Sequence, residues 1–166
     1  YMITDLQPSA IWHYFYQITQ IPRPSKKEGK VLAYLLDFAR QHNLEAKQDK
    51  AGNIVITKPS TPGKEDIPTV ILQSHVDMGA DNGIGVAAQL AILAADDIAH
   101  GKIEALFTVD EETGLTGANS LANDTLTGNI LINLDTEEEG EIYIGCAGGK
   151  GTKAYFKYKE KEVPKD

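Results

Sequence analysis

The sequence predicts an α/β protein whose mostly parallel sheet is flanked by helices. Apolar runs of strand length alternate along the chain with helical segments, a pattern typical of parallel sheets with helical crossovers. Three of these runs end in acidic or imidazole side chains, and the carboxyl ends of parallel strands are where such sheets bind ligands. With 166 residues and 42% hydrophobic content, the chain can form one domain with a buried core.

Two helices are predicted near the start of the chain. Ser9 is placed to cap a helix over residues 10–20, in which apolar side chains recur at helical spacing. Ser25 and Glu28 have the spacing of a capping box. We therefore expect a second amphipathic helix to follow them and to end near Asn43.

The rest of the chain is predicted to alternate strands with one further helix. The predicted segments are a hairpin over 44–58, strands over 69–77, 103–109 and 130–134, a small-residue helix over 83–96, and strand-like runs over 141–145 and 152–159.

Composition excludes several classes of function. The 24 acidic and 16 basic residues give a net charge of -8, which disfavours nucleic acid because its binding needs clustered Lys and Arg. No apolar run is long enough to predict a membrane span, and residues 1–15 show no pattern of a secretory signal. A single cysteine, Cys146, suits a reducing cytoplasm.

Six metal-binding or proton-transferring side chains fall at the predicted strand ends. They are His75 and Asp77 after one strand, Asp81 at the next helix, Glu111 and Glu112 after a second strand, and Asp135 after a third. Residues two apart on a strand face the same side, so Asp77 can accept a hydrogen bond from one ring nitrogen of His75 and leave the other free for metal. Glu111 and Glu112 would point to opposite sides of an extended strand, which suits one to metal binding and the other to proton transfer. Imidazole and carboxylate ligands suit zinc, and a carboxylate-rich set could hold two ions.

Each of these motifs has an ordinary explanation when it is taken alone. An HxD at a strand end can be incidental, two adjacent glutamates are usually a solvated pair, and DNG is a common turn. Their order along the chain, with each motif at a matching strand or helix end, is much more specific than any one of them.

Several other polar residues are assigned structural or surface roles. Cys146 is better explained as a small buried or rim residue than as a nucleophile, because nothing nearby would lower its pKa. The run Glu137–Glu139 is interpreted as a solvated charge run, with the seating of a substrate ammonium group as the alternative. The segment 145–151 lacks the spacing and the ending of a phosphate-binding loop, and Lys150 is given no role.

Four stretches resemble the M20 family of zinc aminopeptidases and carboxypeptidases: "SHVDM", "GADNGIG", "DEETGLTGA" and "INLDTEEEGEIYIGCAGG". The last of these is most similar to the aminoacyl-histidine, or carnosine-type, dipeptidases. The resemblance runs from the first helix to the end of the chain and covers only the amino-terminal part of such an enzyme. It implies that residues 1–150 belong to the catalytic domain and that 151–166 begin a lid or dimerisation domain.

The resemblance also implies a role for each site residue. It implies that two zinc ions, or alternatively Co or Mn, are held by His75, a bridging Asp81, Glu112 and Asp135. Asp77 would orient His75, Glu111 would be the general base, and the link from Asp81 to Asn82 would be a cis peptide. The implied reaction is hydrolysis of Xaa-His dipeptides by a zinc-activated water in the cytoplasm.

The chain departs from the family pattern in two places. Family members carry a longer segment between the HxD and DNG motifs, whereas here Met78 is followed directly by Gly79. Because both flanking motifs are intact, we favour a segment missing from the sequence over a true deletion. The family also supplies a distant histidine beyond the lid, and no histidine here matches it: His13 and His42 lie on predicted helices, and His100 in a loop.

Two other functions remain open at this point. Another M20-like hydrolase, such as a tripeptidase or an N-acyl amino acid deacylase, would use the same chemistry on a different substrate. A non-catalytic metal-binding domain would explain the missing histidine. The partners implied are a small peptide substrate and, through the lid domain, a second copy in a homodimer.

Overall fold

The computed structural model describes residues 3–136, 140–145, 148 and 151–159. The chain divides into two compact units, Tyr1–Thr136 and Glu137–Asp166. The described residues of the second unit form no helix or strand, so the strand-like runs predicted over 141–145 and 152–159 are wrong for those residues.

The first unit contains four helices and five strands among its described residues. In chain order they are α1 (Ser9–Thr19), α2 (Gly29–Gln41), β1 (Glu45–Gln48), β2 (Ile54–Lys58), β3 (Val70–His75), α3 (Ala80–Ala94), β4 (Ile103–Thr108), the short α4 (Thr116–Asn119) and β5 (Ile130–Asn133). A 3-10 turn, Ile3–Asp5, precedes α1. No helix of the described chain is long and apolar enough to cross a membrane.

The five strands form one mixed sheet in the order β1-β2-β4-β3-β5. The predicted hairpin is present, since β1 and β2 pair antiparallel, and β2 also pairs antiparallel with β4. The other three strands are parallel neighbours, because β3 pairs in parallel with both β4 and β5. The α/β class with flanking helices is therefore confirmed, and the parallel part of the sheet is the part whose strand ends carry the candidate site.

Helices α1, α2 and α3 cover one face of this sheet. Ile18, Leu35 and Leu90 from these helices are fully buried in one apolar cluster with the sheet residues Ile56 and Phe107. A smaller cluster lies on the opposite face, where Val55, Ile71 and Leu106 pack against Leu121 and Leu126. Burial of an aliphatic or aromatic side chain contributes roughly 1.5–3 kcal/mol, so these clusters fix the strands whose ends hold the site.

The helix starts differ from the sequence prediction. Ser9 is the first residue of α1 and makes no capping bond, because Pro8 occupies the N-cap position. Ser25 and Glu28 do not form a capping box either. The Ser25 hydroxyl donates instead to the distant Asp77 at 2.8 Å. The Glu28 carboxylate accepts from the neighbouring Lys26 amide and from the buried, distant Asp110 amide.

Helix α3 begins earlier than predicted. It was expected to start at Gly83, but it starts at Ala80 with non-helical angles at Asp81 and Asn82. The peptide between these two residues is cis, as the family resemblance implies. Asp81 is thereby placed on the first, irregular turn of α3, next to the carboxyl end of β3.

Glu104 anchors the residues that immediately precede the edge strand β5. Its side chain on β4 is only 3% exposed. The carboxylate accepts the Lys102 ammonium at 2.8 Å, the Thr127 hydroxyl at 2.6 Å, and the backbone amides of Thr127 and Gly128 at 2.8 and 3.1 Å. Burial alone would raise the pKa of Glu104, but these donors together lower it from 4.5 to about 2.

The substitution Glu104→Gln should therefore destabilise the protein in a pH-dependent way. The lowered pKa means that the ionised side chain stabilises the folded state above about pH 4.5 and loses this effect as the pH falls towards 2. We expect a loss of about 2–3 kcal/mol in the free energy of unfolding at pH 7, measured by urea titration with circular dichroism. The deficit should shrink as the pH is lowered through that window.

The matched control for this experiment is Glu45→Gln, an exposed change on β1 of the same sheet. It should alter the free energy of unfolding by less than about 0.5 kcal/mol. A deficit for Glu104→Gln that stayed constant with pH would mean that the lost stability comes from packing rather than from the ionised carboxylate.

Candidate metal centre

His75 is the centre of the candidate site. It is the last residue of β3 and is only 1% exposed, because the strand is covered on both sides by its parallel neighbours. Its Nδ1 atom lies 3.2 Å from Oδ1 of Asp77, so the hydrogen bond predicted from the HxD spacing is present. A carboxylate bound to Nδ1 favours the tautomer in which Nε2 carries a free lone pair.

Asp77 is fully buried and links three loops. Besides His75, its carboxylate accepts the Ser25 hydroxyl at 2.8 Å, the Glu111 amide at 3.1 Å and the Glu112 amide at 3.3 Å. Burial alone would raise the pKa of Asp77, but these hydrogen bonds together lower it below its ordinary value. Asp77 is therefore an ionised, immobile acceptor, and Ser25 is a functional neighbour that the sequence analysis assigned to a helix cap.

Two aspartates lie opposite Nε2 of His75. Oδ1 of Asp81 is 3.7 Å from this nitrogen and Oδ2 of Asp135 is 3.8 Å from it. Donor atoms of these three residues all lie within 4.8 Å of one another, which is close enough to share one metal ion. The Asp81 side chain is 57% exposed, so the group opens to the surface on that side.

Asn82 holds Asp135 in this arrangement. Its side-chain amide donates to the Leu134 carbonyl at 2.8 Å and to Oδ1 of Asp135 at 3.1 Å. The other oxygen of Asp135 is the one near His75. Gly85 gives Asn82 its space, because a Cβ at that position would overlap the Asn82 side chain. The sequence analysis treated Asn82 as part of a turn and of the implied cis peptide, and no pattern in the sequence pointed to this contact.

Glu111 and Glu112 form a second group of donors with the same histidine. Donor atoms of the two glutamates and His75 all fall within 4.8 Å of one another. The expectation that the glutamates point to opposite sides is wrong, since β4 ends at Thr108 and Glu111 opens a turn closed by the Leu115 amide, which donates to the Glu111 carbonyl at 2.8 Å. Both carboxylates therefore reach the candidate centre.

The site is rich in negative charge. Burial raises the pKa of Glu111; the His75 ring lowers it, and the Asp135, Glu112 and Asp77 carboxylates raise it. Burial also raises the pKa of Asp135, and the hydrogen bond with Asp81 raises it further. Crowded carboxylates around an imidazole favour either a bound proton or a bound cation. The donor set thus fits a divalent metal ion.

Arg23 fixes the turn between β3 and α3. Its guanidinium, in a side chain 6% exposed, donates to the Val76 carbonyl at 2.8 Å, to the Asp77 carbonyl at 3.4 Å and to the Gly79 carbonyl. Burial lowers the pKa of Arg23, while the Asp77 carboxylate raises it. The sequence analysis gave Arg23 no role and so missed this contact.

The remaining candidates lie away from the centre or outside the described residues. His13 is exposed on α1 and bonds Gln17. His42 follows α2, and His100 bonds the Gly101 carbonyl. The candidates Cys146, Lys150 and Glu137–Glu139 fall outside the residues that the structure describes.

A further cluster of acidic side chains includes Asp77. Carboxylate oxygens of Glu28, Asp77 and Asp110 approach within 4.8 Å of one another, and all three residues are buried. Glu28 accepts the Asp110 amide at 3.0 Å. The sequence analysis did not connect these residues, because they come from three distant segments of the chain.

Solved structures and characterised proteins resemble this chain over most of its length. An aminoacylhistidine dipeptidase from Vibrio alginolyticus is 39% identical with a TM-score of 0.86, and the match covers 88% of this chain and 36% of that one. A tripeptidase from Staphylococcus aureus is 25% identical with a TM-score of 0.71, over 78% of this chain and 43% of that one.

The cytosol non-specific dipeptidase of Escherichia coli is 38% identical over 180 residues, which cover 89% of this chain and 37% of that protein. The matched stretch is longer than this chain of 166 residues, so the relative carries residues with no counterpart here. The chain spans about a third of the length of the Vibrio and E. coli relatives.

A model of a protein family also matches this chain. The model of peptidase family M28 matches residues 53–165, a stretch that contains all six of the predicted site residues. That match takes in more than half of the chain, and we conclude that the chain belongs to peptidase family M28.

Proposed function

We propose that this chain is part of the catalytic domain of a zinc dipeptidase that prefers Xaa-His dipeptides and uses the metal ligands implied by the resemblance to M20 enzymes. The observation that carries the proposal is the position of His75, whose ring nitrogen faces Asp81 and Asp135 while Glu111 and Glu112 lie within reach of the same residue. The motif resemblance and the similarity to an aminoacylhistidine dipeptidase support the substrate class.

The proposed metal ligands are His75, Asp81, Glu112 and Asp135. Asp81 would be shared by both ions, and Glu112 and Asp135 would bind different ions. The two donor groups meet at His75, and the four carboxylates around it would suit two zinc ions; Co or Mn would suit the same donors. When bound, zinc would polarise the scissile carbonyl and lower the pKa of a water molecule.

Glu111 is the proposed general base. It would accept a proton from the attacking water and return it to the leaving amine. Its partly buried position and the surrounding carboxylates favour proton uptake, which suits a group that must gain and lose a proton during one turnover. Asp77 holds the Glu111 amide and the His75 ring together and so keeps the base next to the ligands.

The remaining parts of the proposal concern the whole protein. Residues 1–150 would belong to the catalytic domain and 151–166 would begin a lid through which two copies form a homodimer. A distant histidine beyond the lid would complete the metal site. A cytoplasmic location is supported by the single cysteine and by the E. coli relative, whose name places that protein in the cytosol.

A tripeptidase or an N-acyl amino acid deacylase would use the same site residues on another substrate. The similarity to the S. aureus tripeptidase favours the first of these two. A non-catalytic metal-binding domain would keep the ligands but perform no hydrolysis.

Asp77→Asn should weaken zinc binding by about 10–100-fold, because an amide cannot accept all the donors that now fix the His75 ring. The dissociation constant would be measured on the full chain by competition with a coloured chelator. The control is Asp66→Asn, an exposed change in the loop before β3, which should bind zinc like the wild type. Equal affinities for Asp77→Asn and the wild type would show that Asp77 does not orient a ligand.

Glu111→Gln should lower kcat by about 10²–10⁴-fold, because the amide cannot take up the proton from water. Zinc content should stay unchanged, since Glu111 is not a proposed ligand. The rate of dipeptide hydrolysis would be measured on the full-length protein that carries this chain, with the exposed change Glu65→Gln as control. Full activity in Glu111→Gln would remove it as the base.

A substrate panel separates the dipeptidase from its alternatives. The zinc-loaded protein should hydrolyse Xaa-His dipeptides with a higher kcat/KM than tripeptides or N-acyl amino acids. Faster hydrolysis of tripeptides would establish a tripeptidase instead. Tight zinc binding without hydrolysis of any member of the panel would favour a non-catalytic metal-binding domain.

A further inference from the structure

We propose that Asn53 is a positioning residue for the reaction, acting by holding both ends of the loop that carries Glu111 and Glu112. The inference rests on the proposed function, since it concerns the placement of the proposed base. Asn53 lies at the start of β2, on the hairpin, and belongs to no metal-binding group of the described residues.

The Asn53 side chain joins the residue just before the loop to the residue just after it. Its Oδ1 atom accepts the Val109 amide at 3.1 Å, and its Nδ2 atom donates to the Gly117 carbonyl at 2.9 Å. The residue is 2% exposed, so both bonds are shielded from water. A buried side-chain amide with these partners resists displacement, because breaking either bond leaves a buried polar group unpaired.

The two ends of the loop also meet each other directly. The Gly117 amide donates to the Val109 carbonyl at 3.0 Å. A Cβ at Gly117 would overlap that carbonyl and the Asn53 side chain, so the approach is possible only for glycine. The two ends of the seven-residue segment 110–116 are therefore held close together, and the Asn53 side chain bonds to the residues at both ends.

Asp49 fixes the orientation of the Asn53 amide. One oxygen of Asp49 accepts the backbone amides of Ala51, Gly52 and Asn53 at 2.8–2.9 Å, and the other accepts Nδ2 of Asn53 at 2.7 Å. Because Nδ2 faces a carboxylate and a carbonyl, Oδ1 must face the Val109 amide. A carboxylate at position 53 would instead place an oxygen, which only accepts, against the Asp49 carboxylate and the Gly117 carbonyl, which are acceptors as well.

Asn53 and Asp77 thus restrain the same loop from two directions. Asp77 accepts the amides of Glu111 and Glu112 near the ligands, and Asn53 holds the base of the loop against the hairpin. A displacement of about 1 Å of a catalytic group can cost on the order of 100-fold in rate. Loss of the Asn53 bonds should therefore act on the positions of Glu111 and Glu112 while His75, Asp81 and Asp135 stay in place.

The test is Asn53→Asp, which nearly preserves the shape of the side chain, in the full-length protein. With zinc held at saturation, because the loop also carries the proposed ligand Glu112, we expect kcat for an Xaa-His dipeptide to fall about 10–100-fold, with KM changed less than about threefold. Added to Glu111→Gln, the same substitution should have no further effect on kcat, because residues that act through one group are not additive. Gln48→Glu, an exposed amide-to-acid change on the same hairpin, is the control and should keep wild-type kinetics.

A second measurement does not depend on activity. Hydrogen exchange of the peptide spanning 109–117 should be faster in Asn53→Asp than in the wild type, and unchanged in Gln48→Glu. Unchanged exchange with full kcat, or an equal further loss of kcat in the Glu111→Gln background, would each overturn the role of Asn53. A wild-type protein that hydrolyses no peptide would overturn the proposed function, and the exchange rates would still show whether Asn53 holds the loop.

Discussion

The candidate site depends on the hydrogen bonds of one buried carboxylate. Asp77 accepts bonds from His75, from the Ser25 hydroxyl and from the amides of Glu111 and Glu112. These donors come from β3, from the segment before α2 and from the loop after β4. A buried, ionised acceptor is tolerated only when several donors compensate its desolvation. The three segments are therefore held together by the need to satisfy Asp77, and the ligands come together as a result.

The sheet supplies the rigid frame for this carboxylate. Strands β4, β3 and β5 run parallel, so their carboxyl ends lie at one edge, and Glu104 anchors the start of β5 from β4. Arg23 ties down the turn after β3, and Asn53 closes the loop after β4. Polar groups that are buried beside the strand ends thus fix the positions of the charged side chains relative to the apolar core.

Local sequence patterns predicted the frame and pointed to the candidate site residues. The alternating strands and helices, the hairpin and the order HxD, DNG, EE and Asp135 all depend on nearby residues, so they can be recognised without the fold. The same patterns misplaced Ser25 and Glu28, because a capping box and a pair of buried long-range partners use the same residue types. They also misjudged Glu111 and Glu112, whose directions depend on a turn rather than on the strand period.

By itself the sequence determined the α/β class, the candidate ligands and the resemblance to zinc peptidases, because periodicity and short motifs are local properties. Only the tertiary structure showed that two groups of donors meet at His75, that Asn82 bonds Asp135, and that Asn53 bonds both ends of the loop after β4. The contacts of Asn82 and Asn53 join residues more than 50 positions apart, through hydrogen bonds that any Asn, Ser or Arg could make. Which of those residues is used was decided by the folding of the sheet, because burial brings specific donors and acceptors together and leaves no water to replace them.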